Sequence, residues 1–371
     1  MDWDHQFSFW CDHLVLMGVW VSLALSLNLI NGCAGLFSLG HQGFLAVGAY
    51  ATALMVPYVA PGSEEVAPGV VPLLLSFPAA MVAAALFGLL VGLPCLRMRG
   101  DYLAIATLGF AEIFRNVANN SERLGKAQGL QVHNVVRETL LSWQGWASMK
   151  SVAHLSPAEY ASLREAERWA DRSGMVFFLV LSWGVAILTL AALRNLMLSG
   201  HGRAIQAVRD DETAAELLGV NLTRYKVLVF VIGAALAGLA GAVHANYQRY
   251  VSPDAASFMQ GVTLVAIVVL GGLGSATGAV LAACAVYLCP LLLSFAPREW
   301  QIPVFYDPTR PADPVLGHWI YQSPRDLWQV FFALALILVI LVRPQGLMGR
   351  REWPVLAWLR RAFGSAENSR A

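Results

Sequence analysis

Nine separate stretches of this chain are apolar enough to enter a lipid bilayer, and that repetition constrains the fold more than any other feature. They cover residues 13–30, 44–57, 73–93, 102–118, 176–195, 227–246, 258–272, 276–295 and 326–343. Crossing a hydrocarbon core of about 30 Å takes about 20 residues at a helical rise of 1.5 Å each. Inside that core every backbone polar group must be satisfied within the protein, so the segments are expected to be helices. Composition agrees: 57% of the 371 residues are hydrophobic and 13% are charged. Soluble domains average about 45–50% and about 25%. A soluble chain of this size cannot hide so much apolar surface, which excludes a soluble globular enzyme and a disordered chain. The expected fold is an all-α integral membrane protein of about nine to ten transmembrane helices, forming a single membrane domain over residues 1–371.

Two of the segments, 44–57 and 258–272, are short for a span and adjoin Gly-rich stretches, Gly32 to Gly43 and Gly271 to Gly278. Short, Gly-interrupted membrane segments suggest broken or re-entrant helices lining a cavity. A helix starting near Gly35 and simply running long is the alternative. Ser38, Gly40, His41 and Gln42 are the candidates for a translocation path, because polar side chains at membrane depth are costly unless they face a cavity or a partner. Close packing through small residues, with His41 at the membrane edge, is the competing reading. Glu112 and Arg115 share one helix face at spacing three. They are a further path candidate, or else an ion pair that neutralises itself near the outer end. Gly88 with Gly92, Gly274 with Gly278, and the face Ala234, Ala237, Gly238, Gly241 read as helix packing. His244 reads as interfacial.

Basic residues set the orientation. Arg97 and Arg99, then Arg203, Arg209, Arg224 and Lys226, then Arg343, Arg350, Arg351, Arg360 and Arg361 occupy three segments that nine crossings place on one side. That side is the cytoplasmic one, with the C-terminus inside and the N-terminus outside. Asp2, Asp4 and Asp12 without Lys or Arg before the first apolar run make the wrong flank for a cleaved signal. The polar insert 119–175 and the Pro-rich loop 297–325 then lie outside, and 344–371 is a basic inner tail. Within the insert, Ser156, Pro157 and Glu159 open a solvated helix to Arg172, and 297–325 reads as irregular.

The inner loop 199–226 is compact and charged. It reads as two short helices, about Gly202 to Val208 and about Asp211 to Leu218, with Asp210 as cap and Gly219 as stop. Ile205, Val208, Leu217 and Leu218 offer apolar contacts. A docking knob for a soluble partner and an amphipathic helix lying on the membrane both fit. The chain has no GxxxxGK[ST], no HExxH and no GxSxG. Its five cysteines form no CxxC pair and read as small buried hydrophobes. No catalytic residue and no metal site is expected, and the net charge of +1 recruits no nucleic acid.

Five stretches carry a resemblance: GRAIQAVRDDETAAELLGVNLTRYKVLVFVIGAALAGLAGAVHA (202–245), GLFSLGHQGFLAVGAYATA (35–53), GDYLAIATLGFAEIFR (100–115), VVLGGLGSATGAVLAA (268–283) and LVRPQGLMGR (341–350). They resemble, in order, permease subunits of branched-chain amino acid ABC importers of the LivM type. The resemblance implies a coupling helix around 202–219 that sits in a groove of the ATPase subunit. Gly202, Arg203, Ala204, Arg209, Asp210, Asp211, Glu212, Ala215, Leu218 and Gly219 would carry that contact. It further implies a second permease of the LivH type (or a second copy of this chain), two ABC ATPase subunits holding ATP and Mg, a periplasmic binding protein, and a setting among the lipids of the bacterial inner membrane. The chain departs from the family's pattern at Leu124 to Gly129, where Thr-Gly-Gly-x-x-Gly is usual, and its inserts 131–172 and 297–325 are long. A urea- or amide-type ABC permease is the nearest alternative. An ion-coupled secondary transporter is a further one, with Glu112 as its sole candidate carboxylate.

Overall fold

The computed structural model describes residues 3–57, 70–95, 101–143, 157–294, 302–306, 319–322, 328–343 and 346–348. Arg97, Arg99, Ser156 and most of 297–325 and 344–371 lie outside the described residues. All nine apolar segments are helical. They form α1 (Trp3–Asn28), α2 (His41–Met55), α3 (Val70–Cys95), α4 (Asp101–Asn120), α6 (Pro157–Leu198), α9 (Leu222–Gln248), α10 (Phe258–Gly271), α11 (Ala276–Ser294) and α12 (Trp328–Val342). Three further α-helices are found among the described residues: α5 (Val135–Trp143), α7 (Gly200–Asp210) and α8 (Glu212–Leu217). Four described helices are long and apolar enough to cross a membrane: α1 with its extension to Cys33, α3, α6 and α9. α4 has 20 residues but carries Asp101, Glu112 and Arg115.

The chain divides into two compact units, Met1–Val265 and Ala266–Ala371. In the first, α9 packs on α2 and α3 through small residues. A Cβ on Gly48 would stand 2.3 Å from the Gly238 carbonyl oxygen, and one on Gly238 2.4 Å from the Ala84 methyl. Backbones approach this closely only where side chains are missing, which in a membrane replaces the hydrophobic drive for association. α1 and α6 run side by side, with Trp183 Nε1 donating to the Leu14 carbonyl at 3.2 Å. In the second unit, α10 turns into α11 through Gly272 and Gly274, both at positive φ. The close glycine pair there is Gly271 with Gly278, not the expected Gly274 with Gly278.

Several expectations need correction. The solvated helix of the insert does not end at Arg172. It continues into the next span as one 42-residue helix, α6, about 63 Å long at 1.5 Å per residue, or twice a bilayer core. Gly174, at the junction of the two parts, does not interrupt the helix, and α5 braces the projecting half. Arg137 of α5 pairs with Glu167 at 2.8 Å and Asp171 at 3.1 Å. The 297–325 loop is not wholly irregular, because β3 (Ile302–Tyr306) pairs antiparallel with β4 (Trp319–Gln322), with a register shift between Pro303 and Phe305. Both strands are rich in aromatic and β-branched residues, which suit a ladder. β1 (Leu130–Gln131) likewise pairs with β2 (Tyr250–Val251).

Candidate functional site

The first candidate site is the interruption between α1 and α2. α1 does not end cleanly. Its last turn widens into a buried π-helix, Leu29–Cys33, and the chain then runs without helix to Gly40. Backbone freed from a helix at membrane depth must find partners elsewhere, and here it finds side chains. Asn31 brackets Ser38: its Nδ2 donates to the Ser38 carbonyl at 3.3 Å, and its Oδ1 accepts from the Ser38 amide at 3.1 Å. Thr107 of α4 accepts from the Leu39 amide at 3.2 Å. Gly40 presses against α4 so closely that a Cβ would stand 2.0 Å from the Thr107 carbonyl oxygen. The break is therefore real, and α2 starts at His41 rather than near Gly35.

The four residues expected along a path have different surroundings. Ser38 is held by its backbone. His41 is buried, packs edge-on to Phe44, and lies 2.8 Å from Ser26 Oγ through Nε2. Ser26 Oγ also lies 2.9 Å from the Leu23 carbonyl oxygen. His41 thus sits inside the helix packing. Gln42 is also buried, but only its amide nitrogen is engaged, donating to the Gln260 carbonyl at 3.4 Å. Glu112 and Arg115 do pair, at 3.5 Å. Arg115 makes its shorter contact, 2.7 Å, with Asp254 in the turn Pro253–Ala256, and so ties α4 to the segment after α9. Sequence reasoning missed Asn31, Thr107 and Asp254. His244, near the end of α9, is half-buried, with its Nδ1 inside the helix packing.

The second candidate site is the hairpin α7–α8. Ser199 caps α7 by accepting from the Gly202 amide at 3.2 Å. The cap of α8 is Asp211 rather than Asp210, accepting from Thr213 and Ala214 at 2.8 and 3.0 Å. Asp210 is the last residue of α7 and pairs with Arg209 at 3.4 Å. Glu212 holds Lys226 at 2.5 Å, and Gly219 ends the hairpin at φ +82°. Gly202, Ile205, Val208 and Ala215 face inward, whereas Leu217 and Leu218 are 84% and 82% exposed. Arg203, Asp210, Asp211 and Gly219 are exposed and Ala204 is half-buried. Arg209 reaches across to the first site. Its Nη1 donates to the Gly32 carbonyl at 3.0 Å, in the π-helical end of α1. Hairpin and break are thereby joined by one side chain. Among the described residues no His, Cys, Asp and Glu cluster could hold a metal ion.

A family described as the permease component of branched-chain amino acid transport systems matches residues 11–341. The LivM permease protein of the high-affinity branched-chain amino acid transport system of Salmonella typhimurium is 37% identical over 267 residues, 71% of this chain and 59% of the relative. A probable LivM of Methanocaldococcus jannaschii is 21% identical over 90% of this chain and 92% of its own length. The LivH permease protein of Escherichia coli is 34% identical over 46% of this chain and 47% of its own. The chain thus spans about three fifths of the Salmonella LivM it matches. No solved structure matches it.

Proposed function

The chain belongs to the permease-component family of branched-chain amino acid transport systems, and from that premise we propose that it is a membrane-spanning subunit of an ATP-driven importer for branched-chain amino acids. It performs no covalent chemistry. It works beside a LivH-type permease, with two ATPase subunits that hold ATP and Mg and a periplasmic protein that delivers substrate. Its nine or so helical segments sit in the inner membrane with the N-terminus outside and the C-terminus inside.

The observation that carries this reading is the hairpin α7–α8. Two adjacent leucines stand in the open at its tip while its root is buried and tied to α1 by Arg209. Exposed leucines on a capped, rigid support suit an apolar groove on a soluble partner. Gly202, Arg203, Ala204, Arg209, Asp210, Asp211, Glu212, Ala215, Leu218 and Gly219 build and present that surface. When the ATPases close, the hairpin they grip moves, and Arg209 passes the displacement to the end of α1. The linkage is reciprocal: the state of the permease biases closure of the ATPases by the same free energy.

The test is ATP hydrolysis by the reconstituted complex with its binding protein, offered leucine, isoleucine, valine, other amino acids and urea. Stimulation by leucine, isoleucine or valine is expected. Stimulation by urea alone would move the chain to the amide branch, and no stimulation by any solute would overturn the importer reading.

A further inference from the structure

A cavity of about 270 Å³ opens between the first half of α1, α5, the middle of α6 and the end of α9. A cavity of about 150 Å³ already takes a benzene-sized molecule, so a small solute fits here. Leu16, Met175 and Phe178 give it an apolar wall. Four charged side chains line it, two of each sign. Arg137 and Asp171 neutralise each other at 3.1 Å. The other two, Asp12 and Arg249, do not pair. Asp12 accepts from the Tyr247 hydroxyl through Oδ1, and its Oδ2 has no protein partner among the described residues. The Arg249 guanidinium has no hydrogen-bond or ion-pair partner among the described residues, although two carboxylates line the same cavity. Both side chains are exposed, so an entering solute can reach them. The fold holds them apart. Tyr247 fixes Asp12 on α1, and Arg249 stands at the end of α9 with φ +57°. Its amide donates to the Ala245 carbonyl and its carbonyl accepts from the Val132 amide, each at 2.9 Å. One unmatched cation and one unmatched anion beside an apolar wall are complementary to a solute with a carboxylate, an ammonium group and an apolar body.

We propose that this cavity is an entry subsite for an aliphatic α-amino acid. The ammonium group donates to Asp12 Oδ2. The carboxylate accepts from the guanidinium of Arg249, a charge-assisted contact that can be two-pronged. The side chain lies against Leu16, Met175 and Phe178. A solute of net charge would leave Asp12 or Arg249 unmatched, and an uncharged one would leave both. Because the two charges are exposed, water screens their contacts, which suits a stop that the solute must also leave. A phosphoethanolamine lipid headgroup carries the same pair of charges, and the experiment separates the two. This assignment rests on the permease reading above.

The experiment labels Met175→Cys, on the cavity wall, with a thiol reagent in the complete importer, the parent chain serving as control for the five native cysteines. Leucine is compared with isoamylamine, isocaproate and glycerophosphoethanolamine, and the labelling is repeated with Asp12→Asn or Arg249→Gln added. Leucine uptake by proteoliposomes carrying the same complexes is measured alongside. Both altered side chains are exposed, and Asn keeps an acceptor for Tyr247, so the packing is undisturbed. Leucine is expected to slow the labelling, while isoamylamine and isocaproate, each with one charge, leave it unchanged. Each variant should need about ten to a hundred times more leucine for the same protection, the effect of one lost hydrogen bond to a charged group. Arg249→Lys should recover part of that loss. Protection by glycerophosphoethanolamine and not by leucine would assign the cavity to a lipid headgroup and overturn the amino acid subsite. Lowered uptake in the variants without protection by any solute would give Asp12 and Arg249 another role and overturn it too. Labelling indifferent to every solute, with normal uptake throughout, would make the cavity a water-filled crevice and leave the permease reading intact. No leucine uptake by the wild-type complex would overturn both readings.

Discussion

The break before α2 and the hairpin α7–α8 are both interruptions between longer helices, and they are stabilised by opposite means. At the break the partners are buried and some are far away in sequence: Asn31 on Ser38, Thr107 on Leu39, Ser26 on His41. At the hairpin the caps are local, half-buried for Ser199 on Gly202 and exposed for Asp211 on Thr213 and Asn221 on Arg224. The difference follows from solvent. Where water is absent, an unpaired amide must be met by another part of the protein. Where water is present, one capping side chain and hydration suffice. The first region is therefore specified by the whole fold, while the second is capped locally, anchored by Arg209 and Lys226, and keeps a surface left over.

Substitutions at the two regions should separate cleanly in unfolding measurements on the purified permease. Asn31→Ala strands both backbone groups of Ser38, at about 1–3 kcal/mol each. It should show the largest fall in thermal midpoint, and an unchanged midpoint would mean that the break needs no bracket. Gly40→Ala forces a methyl group into the Thr107 carbonyl and should cost about 1–3 kcal/mol as overpacking. A neutral result would show that α2 and α4 can part without loss. Leu217→Asp with Leu218→Asp should leave stability within about 0.5 kcal/mol, yet abolish co-purification of the ATPase. A destabilised double variant would show that the leucines serve the fold and that the two regions are less distinct than their contacts imply. Reversing Asp211 and Glu212 to Arg is a poorer probe of docking, since it removes the cap of α8 and the partner of Lys226.

How much was legible in the sequence follows the same division. Apolar length located nine helical segments, four of them long and apolar enough to cross a membrane, and the glycines with His41 and Gln42 located the break, because these signals are local. The groups that hold the break were invisible for the converse reason. Asn31 stands at the edge of an apolar run where one amide does not stand out, and Thr107 and Asp254 act on residues 68 and 139 positions away. At the hairpin, two adjacent aspartates each make a good cap, and only the backbone decides between them. The continuity of α6 was missed because a charged half and an apolar half look like two elements when read by composition.

The short α2 also bears on how the protein is made. Its 15 residues open with His41 and Gln42, too few and too polar at the leading end to settle in lipid unaided. Its main neighbour is α9, whose small-residue face leaves the ribosome about 200 residues later, on the order of 10–40 s at roughly 5–20 residues per second. During that interval the half-helix has no finished seat, so its insertion is an act of late assembly, completed when α9 arrives and closes over Gly48.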